Sequence, residues 1–353
     1  MVSIPDVQRA WISVRRGKPT DSLVLKNDWP VPKELAKDEV LVKVQVAALN
    51  PIGFKLMRAM PNFIAKRPYV PENDFSGIVV DANGSKFSNG DNVYGWISVN
   101  QQPVTHQGVL AEYTKIPADN IVLRPPNVTP TQAAGITLAA LASYQALFKV
   151  AQLEAGQTIF INGGSSSVGA FAIQLAKIKG AKVVASASAK NEEFVRKMGA
   201  DEFIDYTKDP GVVAYLSKNP PSTKFHVIYD AVGLMSPDLY THSKNYLAPN
   251  GIFVSTGPLP HKLNCDAIWQ WIRTIGAIIT PSWLGNVKSR WAMVNVDNNT
   301  NDMNELQGFL ANGSLQPIVD SVFEFEDVLK AYERIMTYHA VGKVVVKVDP
   351  EAL

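Results

Sequence analysis

The stretch that most constrains this chain runs from Thr158 to Lys177 and reads TIFINGGSSSVGAFAIQLAK. It begins as a β-branched and aromatic strand, Thr158 to Ile161. It passes through the small residues from Gly163 to Ser167 and continues as a proline-free run with one apolar face. The pattern predicts a strand, a tight turn and a helix. Such a turn aims free backbone N–H groups and the positive end of a helix dipole at one point, which makes an anion site. The spacing Gly164-x-Ser166-x-x-Gly169 matches the dinucleotide fingerprint, with serine in place of its middle glycine. A Cβ at that place crowds a pyrophosphate. Serine intrudes least, and its hydroxyl is available to donate to phosphate. The predicted cradle is Gly164, Ser165, Ser166, Ser167, Val168 and Gly169.

Strands and helices alternate after this stretch. Residues 182–188, 202–206, 226–231 and 251–257 are predicted strands, and 191–198 is a helix closed by Gly199. Alternation of this kind predicts a doubly wound parallel sheet, an α/β domain. The preceding residues differ. Segments 39–47, 77–81, 92–97 and 108–116 read as strands, with turns at Asn83-Gly84 and Asn89-Gly90-Asp91 and no long helix. They predict a small β-barrel-like domain. A helical run from Thr131 to Phe148 leads into the cradle, and the pattern after residue 288 is mixed. The expected divisions are 1–125, 126–288 and 289–353.

A length of 353 residues favours more than one core. A net charge of +2 gives no nucleic-acid or membrane-surface footprint. The single cysteine, Cys265, excludes an intrachain disulfide framework and any zinc site built from several thiolates. The five histidines, at 106, 226, 242, 261 and 339, form no ligand-spaced pair. No signal peptide or membrane-spanning run is read, so a cytoplasmic location is expected.

The strand after the cradle ends Ala185-Ser186-Ala187-Ser188, with no acid before Glu192. An NAD site usually carries an acid there for the ribose hydroxyls, and that acid would repel a 2′-phosphate. Ser186, Ser188 and Lys190 would attract one, so NADPH is the expected cofactor.

Several landmarks occur in order: Asn50-Pro51-Ile52-Gly53-Phe54-Lys55, Asp74-Phe75-Ser76-Gly77, Asn89-Gly90-Asp91-Asn92-Val93, Gly108-Val109-Leu110-Ala111-Glu112-Tyr113, Met198-Gly199-Ala200-Asp201, Asp230-Ala231-Val232-Gly233 and Val341-Gly342-Lys343. Together with the serine-bearing turn, they make the chain resemble the medium-chain dehydrogenase/reductase superfamily, in its zinc-independent quinone oxidoreductase and enoyl reductase branch. The resemblance spans nearly the whole length. It implies a GroES-like β-barrel catalytic domain, a Rossmann NADP-binding domain, and a C-terminal return that completes the catalytic domain. It also implies that Tyr206 meets the 2′-phosphate and that Val232, Gly233, Thr256, Gly257 and Lys343 contact the cofactor. Three departures stand out. Gly53 lies where the family often has aspartate, Glu72-Asn73-Asp74 replaces a Gly-x-Asp, and Ser166 replaces the middle glycine. Serine-rich turns like this one are similar to those of fungal reductases acting alongside polyketide synthases.

Hydride transfer without a metal favours an acceptor that is already electrophilic, such as a conjugated enone, enoyl group or quinone. Asn50, Lys55 and Ser143 are the catalytic candidates. Asn50 would orient nicotinamide or substrate; the resemblance implies that Lys55 touches the nicotinamide ribose, relays a proton or stabilises an enolate, and that Ser143 keeps a hydroxyl near the nicotinamide. Tyr69, Tyr94 and Thr137 are weaker candidates. The tryptophans at 269, 271, 283 and 291 are read first as core, with the roof of an apolar pocket or a subunit interface as the alternatives, and His261 and Lys262 receive no role. The expected function is an NADPH-dependent, metal-free reductase of an activated double bond or a quinone. Reduction of reactive aldehydes or ketones is the alternative, as is a weakly catalytic NADPH-binding sensor or partner module. The expected partner is a small conjugated carbonyl, enoyl or quinone molecule, with both a monomer and a homodimer open.

Overall fold

A computed structural model describes residues 4–208, 211–233, 236–257, 265–280, 287 and 289–352. The chain divides into two units, one of residues 1–141 with 297–353 and the other of residues 142–296. Fifteen described strands are numbered in chain order. They are β1 (Val7–Ser13), β2 (Leu23–Pro30), β3 (Glu39–Ala48), β4 (Asp74–Asp81), β5 (Asn92–Trp96), β6 (Tyr113–Pro117), β7 (Ile121–Leu123), β8 (Thr158–Asn162), β9 (Lys182–Ala187), β10 (Glu202–Asp205), β11 (Phe225–Asp230), β12 (Leu247–Ser255), β13 (Arg290–Met293), β14 (Val319–Glu324) and β15 (Lys343–Lys347).

The first unit is a β-rich fold. Its seven-stranded sheet runs β14-β15-β3-β4-β5-β7, β6 pairs with β3, and β1 and β2 form a separate hairpin. Strand β3 shows how sequence alternation becomes architecture. Val40, Val42 and Val44 enter the main core with Phe75, Val79 and Val93. The register against β4 then shifts between Val44 and Val46. An irregularity of this kind turns the strand over. Beyond it Ala47 and Leu49 point into the main core, while Val46 and Ala48 join a smaller cluster with Ala134 and Val345. Asn50 follows directly and precedes the helix Pro51–Ala59, whose Phe54 and Met57 are buried.

The division falls at Leu141, later than the expected 125. Residues just after 125 pack against the β-rich unit: Ser76 Oγ donates to Pro130 O (2.7 Å), and Leu138 N to Asp74 Oδ1 (3.0 Å). The expected single helix from Thr131 to Phe148 is three pieces, Pro130–Ala134, Thr137–Tyr144 and a π-helical turn at Gln145–Val150. Gly135 breaks it where the chain packs on Lys343; a Cβ there would stand 2.9 Å from the lysine Cβ.

The second unit is a six-stranded parallel sheet in the order β10-β9-β8-β11-β12-β13. Chain order reverses between β8 and β11, and ligands of doubly wound sheets bind beyond the carboxyl ends of the strands at such a point. The helix Ser167–Ile178 buries every residue from Gly169 to Ala176. Trp269 and Trp271, read as core, stand 60% and 41% exposed on the helix Cys265–Ile279. The amphipathic stripe of that helix turns these rings away from its own sheet. Trp291 is partly buried against the sheet core, and Trp283, His261 and Lys262 lie outside the described residues. Among the described residues no helix is long and apolar enough to cross a membrane.

Candidate functional site

The expected βα turn is present at the carboxyl end of β8. Gly163 has φ +86°, which a Cβ would oppose. Gly169 sits so close to the turn that a Cβ would stand 2.2 Å from Gly163 O. Ser166 is the N-cap of the following helix: its Oγ accepts from Gly169 N (3.0 Å) and donates to Gly163 O (2.8 Å). The hydroxyl expected to donate to phosphate is therefore committed within the turn. The backbone N–H groups of Ser165, Ser167 and Val168 make no hydrogen bond among the described residues. Three open donors at the start of a twelve-residue helix fit an anionic pyrophosphate.

Beneath the turn, a row of buried polar side chains crosses four adjacent strands. Ser186 Oγ of β9 donates to Asn162 Oδ1 of β8 (2.9 Å) and accepts from Gly163 N (3.3 Å). Asn162 Nδ2 donates to Asp230 Oδ1 of β11 (3.1 Å), and Ser255 Oγ of β12 to Asp230 Oδ2 (3.0 Å). Ser186 is thus fully buried beneath the cradle, where it holds Gly163, instead of facing a 2′-phosphate.

Ser188 is half-buried and Lys190 is exposed at the end of β9. Lys190 makes no ion pair among the described residues. Asn191 Nδ2 donates to Ser165 Oγ (3.1 Å), joining this corner to the cradle. Asp205, at the end of β10, is a further carboxylate at this corner. Its Oδ1 accepts from Ala189 N (3.1 Å) and Thr207 Oγ1 (2.7 Å), and the threonine bonds hold its carboxyl below the usual range. Tyr206 beside it is 47% exposed. Val232 leans over Gly163: a Cβ on that glycine would stand 2.3 Å from Val232 Cγ1. Gly233 and Gly257 approach so closely that a Cβ on Gly233 would stand 2.3 Å from Gly257 O. Thr256 Oγ1 donates to Asp230 O (3.4 Å). These residues therefore gather at the carboxyl ends of β11 and β12. Ser143 is buried, and its Oγ donates to Val168 O (2.7 Å), a tie to the first turn of the helix.

The β-rich unit brings together residues far apart in sequence. Lys343 Nζ donates to Asn50 Oδ1 (2.6 Å) and to Asp74 Oδ2 (2.9 Å), while Asn50 Nδ2 donates to Asp74 Oδ2 (3.1 Å). All three side chains are buried, and a buried ammonium needs such a carboxylate to offset its lost hydration. The structure therefore engages Asn50 and Lys343 in one internal network with Asp74. Glu72 lies beside it, 1% exposed, at φ +67°. Its Oε2 accepts from Asn50 N (3.0 Å) and its Oε1 from Tyr332 Oη (2.6 Å). Burial pushes the Glu72 carboxyl up to about 7, against the two donors and Lys343. Neither Glu72 nor Tyr332 was a sequence candidate. The departures at positions 53 and 72 were the available signal.

Lys55 projects from the helix Pro51–Ala59, half-buried. It makes no ion pair or hydrogen bond among the described residues, and its Nζ lies 5.9 Å from the Tyr338 ring centroid. Burial pulls its ammonium down to about 8. Tyr69 is buried beneath Arg67, whose guanidinium lies 5.8 Å from its ring centroid. Tyr94 Oη and Thr137 Oγ1 are buried without a hydrogen-bond partner among the described residues. No group of three His, Cys, Asp or Glu side chains among the described residues is placed to hold a metal ion.

Two family models match the chain, an alcohol dehydrogenase GroES-like domain over residues 36–126 and a zinc-binding dehydrogenase over residues 198–346. A trans-enoyl reductase of Aspergillus terreus is 34% identical and covers 98% of both chains. A chloroplastic NADPH-dependent alkenal/one oxidoreductase of Arabidopsis thaliana is 32% identical over 98% of this chain and 80% of its own. Among solved structures, a quinone oxidoreductase of Coxiella burnetii superposes with a TM-score of 0.78 at 27% identity, covering 97% of this chain and 99% of its own.

Proposed function

The chain belongs to the medium-chain dehydrogenase/reductase superfamily, among its enoyl reductase and quinone oxidoreductase members, and on that premise we propose that it is an NADPH-dependent, metal-free reductase of conjugated carbonyl or enoyl double bonds or of quinones. The observation that carries this is the pairing of an open N–H cradle with an end to β9 that carries Lys190 and no acid of its own before Glu192, the neighbouring Asp205 carboxylate being engaged by Ala189 N and Thr207. The N–H groups of Ser165, Ser167 and Val168 would hold the pyrophosphate, and Ser188, Lys190 and Tyr206 the 2′-phosphate. When bound, NADPH supplies a hydride to the electrophilic carbon of the acceptor and leaves as NADP⁺. Charge then develops on the acceptor's oxygen, and a proton must follow.

Lys55 is the group of the β-rich unit suited to supply that proton. Its ammonium has no carboxylate beside it to hold the proton back, and burial weakens that hold further, to a pKa of about 8. A donor titrating this close to neutrality is matched to proton transfer at physiological pH. Asn50 and Lys343 support the corner from which the Lys55 helix starts. Ser143 and Ser186 support the cradle from below.

A panel of acceptors tests the proposal through loss of NADPH absorbance. Turnover of an enone but not of its saturated ketone supports it. Turnover of carbonyls alone makes the protein an aldehyde or ketone reductase. Tight NADPH binding with no turnover makes it a binding module.

A further inference from the structure

Glu72 has no task in the chemistry above, yet three independent features of the fold converge on it. Its backbone lies in the left-handed region, at φ +67°, which disfavours any residue with a Cβ. Such a conformation persists only where the surroundings fix it. Here Gln102 Nε2 donates to the Glu72 carbonyl (2.6 Å), and both carboxyl oxygens accept bonds, from Asn50 N (3.0 Å) and Tyr332 Oη (2.6 Å). The carboxyl also occupies the space over Gly53. A Cβ at position 53 would stand 2.1 Å from Glu72 Oε1 and 2.8 Å from Glu72 Cδ.

We infer that Glu72 is a positioning residue: from a left-handed backbone its carboxyl fills the space over Gly53 and ties Asn50 N–H to Tyr332, fixing the corner from which the Lys55 helix projects. The glycine at position 53 and the carboxyl at position 72 are complementary, since the space that the one leaves is the space that the other fills. Pro51 brings no N–H of its own, and at the helix entry Asn50 N–H donates to Glu72 while Gly53 N–H donates to Asn50 O (3.0 Å). Lys55 lies one turn further along, and its placement depends on that entry. The inference rests on Lys55 as proton donor and deepens that assignment. The titratable and charged groups facing Glu72 are Tyr332, Asp74, Lys343 and Tyr69. Its own carboxyl near pH 7 agrees with a group held in place by donors against the cost of burial.

The test compares full-length Gly53→Asp, Glu72→Gly and the exchange variant carrying both. Three quantities are read: melting temperature, kcat with an enone, and the Lys55 titration by NMR after reductive methylation of the lysines. NADPH affinity is the control and should stay within about twofold, because the cradle lies in the other unit. Each single change should lower the melting temperature by about 5 °C and kcat by about tenfold or more. Glu72→Gly should also move the Lys55 titration upward from about 8 towards 10.5, as the loosened corner admits water. The exchange variant should regain at least half of each loss. Wild-type behaviour of Gly53→Asp overturns the inference. So does an exchange variant no better than its worse parent. Loss of stability with kcat and the Lys55 titration unchanged makes Glu72 structural only, which also overturns it. If the wild-type chain turns over no acceptor, the proposed function fails, while the Lys55 titration still decides the positioning role.

Discussion

Ser166 offers the sharpest separation of folding from cofactor binding, because its hydroxyl is spent inside the turn while the N–H groups beside it are open. In Ser166→Ala the buried Gly169 N–H loses its acceptor. Gly163 O loses one donor but keeps Ser166 N at 3.0 Å. An N-cap lost to alanine costs about 1 kcal/mol, and the orphaned N–H brings the total to about 1–2 kcal/mol. For a unit of this size that is a melting-temperature drop of about 3–6 °C. NADPH binding should change by less than about threefold, since Ser165, Ser167 and Val168 are untouched. Ser166→Asp reverses both effects. Aspartate keeps an acceptor for Gly169 N–H and sits favourably on the helix dipole but cannot donate to Gly163 O, so the ligand-free melting temperature should recover most of what alanine loses. Its carboxylate, however, stands where a pyrophosphate must sit. At an effective dielectric near 20, two charges about 4 Å apart repel by about 4 kcal/mol, and partial exposure reduces this to about 1.5–3 kcal/mol. The NADPH dissociation constant should rise by about 10- to 100-fold. Calorimetry and a fluorescence titration on the same preparations read both quantities. An aspartate variant that binds NADPH like the wild type would refute the placement of the pyrophosphate in this turn.

Lys55→Met should lower kcat on an enone by about a hundredfold or more while leaving NADPH affinity intact. In the wild type kcat should fall as pH rises through about 8, where the Lys55 ammonium loses its proton; a flat profile to pH 10 would rule Lys55 out. Lys190→Ala should reduce the preference for NADPH over NADH by about tenfold, read as the ratio of the two dissociation constants, and an unchanged ratio would remove Lys190 from the 2′-phosphate site. Gly169→Ala should destabilise the nucleotide unit by about 2 kcal/mol or more, because backbone at Gly163 must move; a wild-type melting curve would contradict the close packing. The raised carboxyl of Glu72 contributes stability that is fully present below its unfolded pKa of 4.5 and is lost as pH rises through about 7. The loss is about 3 kcal/mol at most. Melts across that range should show a decline that Glu72→Gln lacks, and parallel curves would count against the shift.

The nucleotide turn was legible in the sequence because everything that makes it is local: a strand, five small residues and a helix within a short span. The capping role of Ser166 is local as well. Ser166 was assigned to phosphate on the logic of the fingerprint, although serine before a helix, three residues ahead of an N–H that needs an acceptor, is an N-cap. Ser143 and Ser186 looked like available hydroxyls because sequence does not show that their neighbours beneath the cradle, Val168, Asn162 and Gly163, take them up. The same blindness affected Asn50 and Lys343. Their pairing spans 293 positions and depends on β15 returning beside β3. Gly135 ended a helix that reads as continuous, because its reason for being glycine is the Lys343 stem. Glu72 left only a trace, a residue that breaks a pattern, whose complement at Gly53 appears once the space over that glycine is measured.

The β-rich unit is discontinuous, and this bears on how the protein is made. Residues 142–296 form an uninterrupted segment that can collapse as soon as it leaves the ribosome. The β-rich unit cannot finish in the same order. Asp74 is synthesised early and is buried only beside an ammonium that arrives at position 343, and β3 waits for β15 along its edge. Until the last strand emerges, a carboxylate with no counter-charge and an unpaired strand edge stay in water. A ribosome stalled short of Lys343 would therefore carry a folded nucleotide unit and an open β-rich one, with the longest exposure to chaperones and proteases falling on the strands from β1 to β7.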